Sequence, residues 1–217
     1  MIVDTHKKYS PKSLDEFVYP NDEVKRVITH YASGEIVRPL ILHGTNGCGK
    51  SLLLELLPNA IEQKKAHVTR VLCSNLNDAN DVHRIFGVNT RFDAVFKYNE
   101  KFNYFIIDEF ILTNKKAIDA LKIQIDRRMG NALTIISTNR LDLVDSGFQS
   151  RCKKLEIPPC TPSVFMPHAL KIFNSENLAI DNAKLKIFLE DVYKKTRDNR
   201  KYYERIEELL WEFFATS

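Results

Sequence analysis

Residues 44–51 read Gly44-Thr45-Asn46-Gly47-Cys48-Gly49-Lys50-Ser51 and fit the pattern G-x-x-x-x-G-K-S. This pattern is typical of a phosphate-binding loop, because its glycines let successive backbone N–H groups point at phosphate oxygens. Lys50 would bring a positive charge to the β and γ phosphates, and the Ser51 hydroxyl would bind Mg²⁺. The motif therefore predicts a nucleotide site to which the whole loop contributes.

The residues on either side of this loop have the character that the motif requires. An apolar, strand-like run at residues 39–43 precedes it, and a leucine-rich helical run at residues 52–57 follows it. A phosphate-binding loop joins a strand to a helix, so the context supports the motif. Pro58 is predicted to end or kink that helix.

Composition is that of an ordinary folded protein. With 217 residues, 44% of them hydrophobic, the chain can form one sizeable core, or one core and a small appended domain. The net charge of +4 permits a nucleic-acid partner without requiring one. The four cysteines lack zinc-site spacing, and neither a signal peptide nor a bilayer-length apolar run is recognisable. We therefore expect a cytoplasmic protein without a membrane partner, and a nuclear location is not excluded.

Apolar segments alternate with helical ones through the first three quarters of the chain. Strands are predicted at residues 39–43, 67–72, 104–107, 133–137 and 155–157, with helices such as 82–86 and 115–129 between them. Residues 88–102 give no clear prediction. This alternation indicates an α/β fold with a five-stranded parallel sheet in three layers.

The two ends of the chain differ from this pattern. Residues 1–20 are predicted to form an irregular arm, after which Asn21 would cap a helix. From Thr161 onward only helical patterns occur, with Pro162 suited to a first helical position. We therefore predict two domains, a phosphate-loop domain with its arm at residues 1–160 and a small all-helical lid at residues 161–217.

Polar residues follow three of the predicted strands. They are Gly44 after the first strand, Asp108 and Glu109 after the third, and Asn139 after the fourth. In an open parallel sheet, ligands bind beyond the carboxyl ends of the strands. Asp108 would hold the Mg²⁺ water shell, Glu109 would orient and deprotonate the attacking water, and Asn139 would hydrogen-bond the γ-phosphate or that water. The alternatives are a solvated strand end and a turn asparagine.

Three further stretches resemble one known family. The stretch from Tyr9 to Glu16 looks like the opening K-Y-R-P-K-T-x-D-E, residues 75–84 are similar to N-A-S-D-x-x-G-x-D-x-x-R, and Ser150-Arg151-Cys152 matches S-R-C. Together with the phosphate loop, they resemble the AAA+ ATPases and, within these, the clamp-loader ATPase subunits. The resemblance implies a P-loop fold that binds ATP and Mg²⁺ and hydrolyses ATP.

The same resemblance implies an oligomer whose subunits share sites. Arg151 would be an arginine finger that reaches the ATP of a neighbouring subunit, whether a copy of this chain or a homologue. The sequence Asp198-Asn199-Arg200-Lys201 resembles the start of the family's lid helix, which would make Arg200 a second sensor that binds the nucleotide. The alternatives are a surface arginine at a helix end and an ordinary charge in a first helical turn.

Two features depart from the family pattern. Tyr19-Pro20-Asn21-Asp22 stands where most members have a glycine and is more similar to phage clamp-loader subunits. The family's helical collar domain, which holds the pentamer together, has no counterpart in the 217 residues. We therefore expect a clamp-loader type of ATPase that lacks the collar, either as a truncated chain or as a compact relative whose assembly rests on other contacts.

The preferred functional hypothesis is an oligomeric ATPase that acts on DNA in replication, with a sliding clamp or a replicative helicase as a partner. By resemblance, the residues near DNA would be Asn77, Asn80, Arg84, Lys115 and Lys116, whose other interpretation is a solvated surface. A helicase loader or a superfamily 3 type DNA helicase would use the same phosphate loop, acidic pair and asparagine. A protein-directed assembly or defence ATPase would not bind DNA.

Overall fold

The structure is a computed structural model that describes residues 4–96, 100–127 and 130–215. Its strands are β1 (Leu40–His43), β2 (Val68–Val71), β3 (Asn103–Ile107), β4 (Ala132–Thr138) and β5 (Lys153–Glu156). Its helices are α1 (Thr5–Tyr9), α2 (Asp22–Ser33), α3 (Lys50–Glu62), α4 (Ala79–Phe96), α5 (Lys115–Arg127), α6 (Ser146–Gln149), α7 (Pro162–Ser175), α8 (Asn182–Lys195) and α9 (Asn199–Ala215). The predicted end of α5 at residue 129 lies outside the described residues.

The five strands form one parallel sheet in the order β2-β3-β4-β1-β5. Four consecutive residues of β3, Tyr104 to Ile107, are buried, and so is every residue of β4. Side chains alternate between the two faces of a strand, so continuous burial means that both faces of the sheet are covered. The predicted five-stranded, three-layer α/β fold is confirmed.

One hydrophobic core packs a face of this sheet against α4 and α5. Phe105 of β3 stacks on Phe86 of α4, with 4.5 Å between ring centroids. Leu121 and Ile125 of α5 join the same core, since they recur at helical spacing on one side of that helix. The core therefore ties both helices to the strands whose ends are expected to carry the chemistry.

The structure departs from three local predictions, which concern the arm, the length of one helix and the effect of Pro58. Residues 5–9 of the expected irregular arm form α1, whose N-terminus is capped by the Asp4 carboxylate accepting from Lys7 N–H at 3.0 Å. The helix predicted at residues 82–86 extends over Ala79–Phe96. Pro58 does not end α3, which continues to Glu62 with Pro58 buried within it, and the alternative of a kink at Pro58 stays a prediction. Burial of the surrounding leucines in α3 outweighs the local cost of the missing backbone donor.

The predicted cap of α2 and the predicted place of Pro162 in the first turn of α7 are confirmed. The side chain of Asn21 accepts a hydrogen bond from Val24 N–H at 2.9 Å, which satisfies one donor in the first turn of α2. Thr161 is the N-cap residue of α7, and Pro162 occupies a position where its missing N–H costs little. Local sequence therefore decides where these two helices begin.

Helices α7, α8 and α9 share a second core. Phe165 of α7 stacks on Tyr202 of α9 at 4.5 Å between ring centroids, and the Tyr202 hydroxyl donates to the Cys160 carbonyl at 2.9 Å. Helix α1 lies on α9, where Thr5 N–H donates to Glu207 Oε2 at 2.7 Å. The helical region predicted after the sheet is present, and the N-terminal arm packs with it.

The chain divides into two compact units. One contains residues 1–25, 45–49 and 157–217, and the other contains residues 26–44 and 50–156. We call them the helical unit and the sheet unit. The proposed domain boundary at residue 160 stays a prediction. Among the described helices, none is both long and apolar enough to cross a membrane.

The two faces of α5 give a prediction about stability. Ile125 is 4% exposed in the core, whereas Ile123, two residues earlier on the same helix, is 45% exposed. Replacing Ile125 with alanine removes buried methyl groups and leaves a cavity, so it should lower the free energy of unfolding by about 2–5 kcal/mol. The matched variant Ile123→Ala should change it by less than about 0.5 kcal/mol. Urea unfolding followed by circular dichroism measures both, and equal losses would contradict this packing of α5.

Candidate nucleotide site

The loop between β1 and α3 depends on glycines with a left-handed backbone. Gly47 has φ +72° and Gly49 has φ +97°, a region that residues with a Cβ rarely adopt. A Cβ added at Gly49 would also lie 3.1 Å from the Phe17 ring. These two positions therefore need glycine for the backbone conformation, and at Gly49 for space as well.

Lys50 connects the two ends of the loop. Its side chain is buried, with only 7% of the residue exposed, and its Nζ donates to the Gly44 carbonyl at 2.9 Å. Within the loop, the Cys48 thiol donates to the Thr45 carbonyl at 2.9 Å. Ser51 follows Lys50 in the first turn of α3 and is exposed. A buried ammonium group and an exposed hydroxyl thus stand at the N-terminus of a 13-residue helix.

Sheet order places the predicted polar residues beside one another. Strand β4 pairs with β3 on one side and with β1 on the other, with Ile107 opposite Ile136 and His43 opposite Thr138. Asp108 and Glu109 follow β3, Asn139 follows β4 and Gly44 follows β1, all at the carboxyl edge. Both Glu109 and Asn139 are exposed there.

Ser137 organises the acidic pair, and the sequence did not predict it as a site residue. Its hydroxyl donates to Asp108 Oδ1 and accepts from Glu109 N–H at 3.2 Å, while its carbonyl accepts from Phe110 N–H at 2.7 Å. Ser137 is 1% exposed. A hydroxyl buried near the end of a strand needs a polar partner, which is the signal that could have pointed to Ser137, although Thr134 and Thr138 of the same strand give that signal too.

Glu109 has an unusual backbone. Its φ of +52° is left-handed, although it is not glycine, and its N–H also donates to Asp108 Oδ1 at 3.1 Å. Such a conformation costs about 1–3 kcal/mol and persists where surrounding contacts hold it. Here the bonds to Ser137 and Asp108 do so. They orient the exposed Glu109 side chain at the edge where β3 ends.

The donors at this edge fit Mg²⁺. The Ser51 hydroxyl and the Asp108 carboxylate are oxygen ligands of the kind that Mg²⁺ prefers, and Asp108 uses only Oδ1 in the described contacts. Within the described ranges, no group of three or more His, Cys, Asp or Glu side chains could hold a metal ion. Magnesium at a phosphate site is typically bound by one or two side chains, substrate phosphates and water, so it does not require such a group.

Arg151 lies between α6 and β5 in the sheet unit. Its Nε donates to both carboxylate oxygens of Asp126, at 3.0 and 2.9 Å, and its Nη1 donates to the Gly147 carbonyl at 2.7 Å. The side chain is 35% exposed. The predicted arginine finger is thus partly exposed and held by its own chain.

Arg200 begins α9 in the helical unit. Its Nε and Nη2 donate to the two oxygens of Asp198 at 3.2 and 3.0 Å, and this pairing raises the pKa of the Arg200 guanidinium. The Asp198 carboxylate also lies against Gly47, because a Cβ added at Gly47 would be 1.6 Å from Asp198 Oδ1. Arg200 is therefore joined to the tip of the phosphate loop through one carboxylate.

A cavity of about 470 Å³ lies in the helical unit between the N-terminal arm and α7. Val18, Tyr19, Pro167 and His168 line it together with charged side chains of both signs. Burial lowers the pKa of His168, which is hydrogen-bonded to Tyr203 at 3.0 Å. No residue of the phosphate loop lines this cavity.

The residues expected near DNA are all exposed in the sheet unit. Asn77 lies two residues before α4, Asn80 and Arg84 lie in its first two turns, and Lys115 and Lys116 lie in the first turn of α5. These helices pack together and follow β2 and β3, so their N-termini are at the carboxyl edge of the sheet. Arg84 pairs with Asp81 at 2.9 Å.

An open parallel sheet with a glycine-rich loop between strand and helix, a buried loop lysine and an acidic pair on a nearby strand defines a P-loop nucleotide-binding protein. A model of the ATPase family associated with various cellular activities (AAA) matches residues 40–159, more than half of the chain. The chain belongs to this family.

Relatives with similar sequences carry clamp-loader names. Replication factor C subunit 5 of Mus musculus is 24% identical over 181 residues, which cover 83% of this chain and 53% of the relative. A putative replication factor C small subunit of Acanthamoeba polyphaga mimivirus is 22% identical over 216 residues, covering 85% and 57%. The predicted resemblance to clamp-loader subunits is confirmed. The chain spans about half the length of these relatives.

Solved structures support the fold. A point mutant of Thermotoga maritima RuvB superposes with a TM-score of 0.68 over 95% of this chain and 67% of that chain, at 18% identity. A second RuvB mutant gives the same TM-score and identity over 94% and 67%. At this identity, the likeness concerns the fold alone.

The contact between Gly47 and Asp198 gives a prediction about nucleotide binding. Gly47→Ala should weaken ATP binding at least about ten-fold, because the added Cβ combines left-handed strain with a clash against the Asp198 carboxylate. Gly34→Ala is the matched control, since Gly34 has φ +83° and nothing within 4 Å of its Cβ position. Fluorescent ATP titration should show normal affinity for that control. Equal losses in both variants would rule out the contact as the cause.

Proposed function

We propose that this chain binds ATP with Mg²⁺ and hydrolyses it to ADP and phosphate. The observation that carries this proposal is the carboxyl edge of the sheet. The phosphate loop begins there after β1, Asp108 and Glu109 follow β3, and Asn139 follows β4, which lies between those two strands. Lys50 donates to the Gly44 carbonyl at the start of the loop. The residues match the types that phosphoryl-transfer sites use for charge neutralisation and water activation.

Binding is assigned to the loop and the start of α3. Backbone N–H groups of residues 44–51 and the N-terminus of α3 would surround the phosphates. Lys50 already lies inside the loop through its bond to Gly44, so little reorganisation is needed to bring its charge to the β and γ phosphates. Ser51 and Asp108 would hold the ion, which supplies neutralisation of phosphate charge when bound.

Water activation is assigned to the residues beyond β3 and β4. Glu109 would accept a proton from the attacking water, and its exposed carboxylate and fixed backbone suit that role. Asn139, one strand closer to the loop, would hydrogen-bond the γ-phosphate or the same water. Arg200 would act as second sensor after leaving Asp198.

We further propose that the protein works as an oligomer, with Arg151 acting on the ATP of a neighbouring subunit, and that it acts on DNA as a clamp-loader type of ATPase. Support comes from the relatives named replication factor C subunits, the Ser-Arg-Cys motif and the exposed lysines and polar side chains at the starts of α4 and α5. A sliding clamp or a replicative helicase is the proposed protein partner.

Binding and hydrolysis should be separable by mutation. Lys50→Ala should abolish ATP binding, whereas Glu109→Gln should bind ATP normally and lose hydrolysis by at least about 10²-fold, because it removes only the proton acceptor. Equilibrium titration with labelled ATP and a phosphate-release assay measure the two properties.

Glu156 supplies the matched control for this experiment. It is an exposed glutamate at the end of β5, so Glu156→Gln makes the same chemical change at another strand end and should keep both binding and hydrolysis. Equal loss of ATP affinity in Lys50→Ala and Glu109→Gln would contradict the separate roles.

DNA binding should depend on ATP and on salt. The Glu109→Gln variant, with ATP at low salt, should bind duplex or primed template better than without ATP, and its log affinity should fall with log salt by about 0.9 per phosphate contacted. Lys115 and Lys116 replaced together by alanine should reduce that slope by up to about 2.

The exposed pair Lys194 and Lys195 on α8 provides the control, and its double alanine variant should keep the slope. Mass analysis of the particle accompanies each titration, because assembly with ATP is part of the proposal. A monomer that ignores DNA with and without ATP would remove the clamp-loader proposal and favour a protein-directed ATPase.

A further inference from the structure

Two separate sets of hydrogen bonds hold Arg151, one on its side chain and one on its main chain. The first fixes its guanidinium group, whose Nε donates to both oxygens of Asp126 at 3.0 and 2.9 Å and whose Nη1 donates to the Gly147 carbonyl at 2.7 Å. Asp126 lies near the end of α5 and is 25 residues away in sequence. The side chain is therefore anchored to two elements of the sheet unit.

The second set of hydrogen bonds fixes the main chain of Ser150 and Arg151. Arg38 donates from Nε to the Arg151 carbonyl at 3.1 Å and from Nη2 to the Ser150 carbonyl at 2.6 Å. The Arg38 carbonyl in turn accepts from the Tyr31 hydroxyl at 2.8 Å, and Tyr31 is fully buried. The backbone that carries Arg151 is thus tied to the rigid core beside β1.

Some N–H groups of the anchored Arg151 guanidinium make no hydrogen bond within the described residues. Arginine has five N–H donors in a planar fork, and the bonds to Asp126 and Gly147 engage only Nε and Nη1. In the described part of the chain, no hydrogen bond of the Nη2 group is found. Since the side chain is partly exposed, the Nη2 edge is the part of the fork left for an anionic oxygen from outside the subunit.

We propose that Asp126 is a positioning residue for Arg151 and sets the direction in which its free edge meets the phosphate of a neighbouring subunit. A half-exposed ion pair stabilises a fold little, so this contact, in which one Nε–H is shared between both Asp126 oxygens, has more effect on orientation than on stability. A guanidinium fixed in advance loses less freedom when the transition state forms. The inference rests on the proposed action of Arg151 in trans.

The defining variant is Asp126→Asn, which keeps the shape of the side chain and removes its charge. It should lower kcat for ATP about ten-fold and leave KM unchanged, since Asp126 contacts no nucleotide in this proposal. Asp126→Glu restores the carboxylate and should recover most of kcat. Arg151→Ala should cost about 10³-fold or more, as expected for an arginine finger.

Asp119→Asn is the matched control on the same helix. Asp119 pairs with Lys122 at 2.7 Å, and Lys122 retains Asp145 at 3.3 Å when that pair is lost. This variant makes the same chemical change on α5 without touching Arg151, so kcat should stay unchanged. Thermal melts of every variant identify any general loss of folding.

A double-mutant cycle separates positioning from a structural role. If Asp126 acts through Arg151, Asp126→Asn should cause no further loss of kcat in the Arg151→Ala background. Mixing Asp126→Asn with an equal amount of Lys50→Ala should restore activity. The Asp126→Asn subunit then supplies an intact phosphate loop, and its Lys50→Ala neighbour supplies a correctly held Arg151. Arg151→Ala should be rescued by the same partner.

The outcomes distinguish this inference from the proposed function. An equal loss in both backgrounds, or a gain of kcat in Asp126→Asn, would overturn the positioning role. If Asp126→Asn has a normal kcat while Arg151→Ala is inactive alone and is rescued by Lys50→Ala, the positioning role of Asp126 is overturned and the action of Arg151 in trans is supported. Normal activity of Arg151→Ala, or no rescue in particles shown to be mixed, would overturn the action in trans itself.

Discussion

The pairing of β4 between β3 and β1 is the constraint on which the candidate site depends. Parallel strands end at one edge, so this pairing brings the loop after β1, the acidic pair after β3 and Asn139 after β4 to adjacent positions. Continuous burial of β3 and β4 holds that arrangement in place. Ser137 then fixes the residues that follow β3, because it is hydrogen-bonded to Asp108, Glu109 and Phe110.

A common feature links the two arginines that are proposed to meet phosphate. Each is held by an aspartate, Arg151 by Asp126 and Arg200 by Asp198, and each pair is partly exposed. The two pairs differ in how far apart their members lie in the sequence. Asp198 is two residues from Arg200 and contacts the phosphate loop, so their geometry follows from the start of α9. Asp126 reaches Arg151 from another helix, so their geometry follows from packing.

Much of the fold could be predicted, and the errors have physical reasons. Strand positions follow from short apolar runs, the start of α2 follows from the hydrogen bond that the Asn21 side chain accepts, and the start of α7 follows from Pro162 in its first turn. The helix through Pro58 was missed because burial of α3 outweighs a local helix-breaking preference. Helix α1 was missed because residues 5–9 have little helical periodicity and are stabilised by the Asp4 cap and by contact with α9.

The sequence alone determined the phosphate loop, the strand ends that carry Asp108, Glu109 and Asn139, and the likeness to clamp-loader ATPases, because these depend on residue types at short spacing. Only the tertiary structure decided that Ser137 holds the acidic pair and that Asp126 and Arg38 hold Arg151. Those partners are 29, 25 and 113 residues apart in sequence. No local pattern encodes such contacts, since they exist only after the sheet has paired and α5 has packed against it.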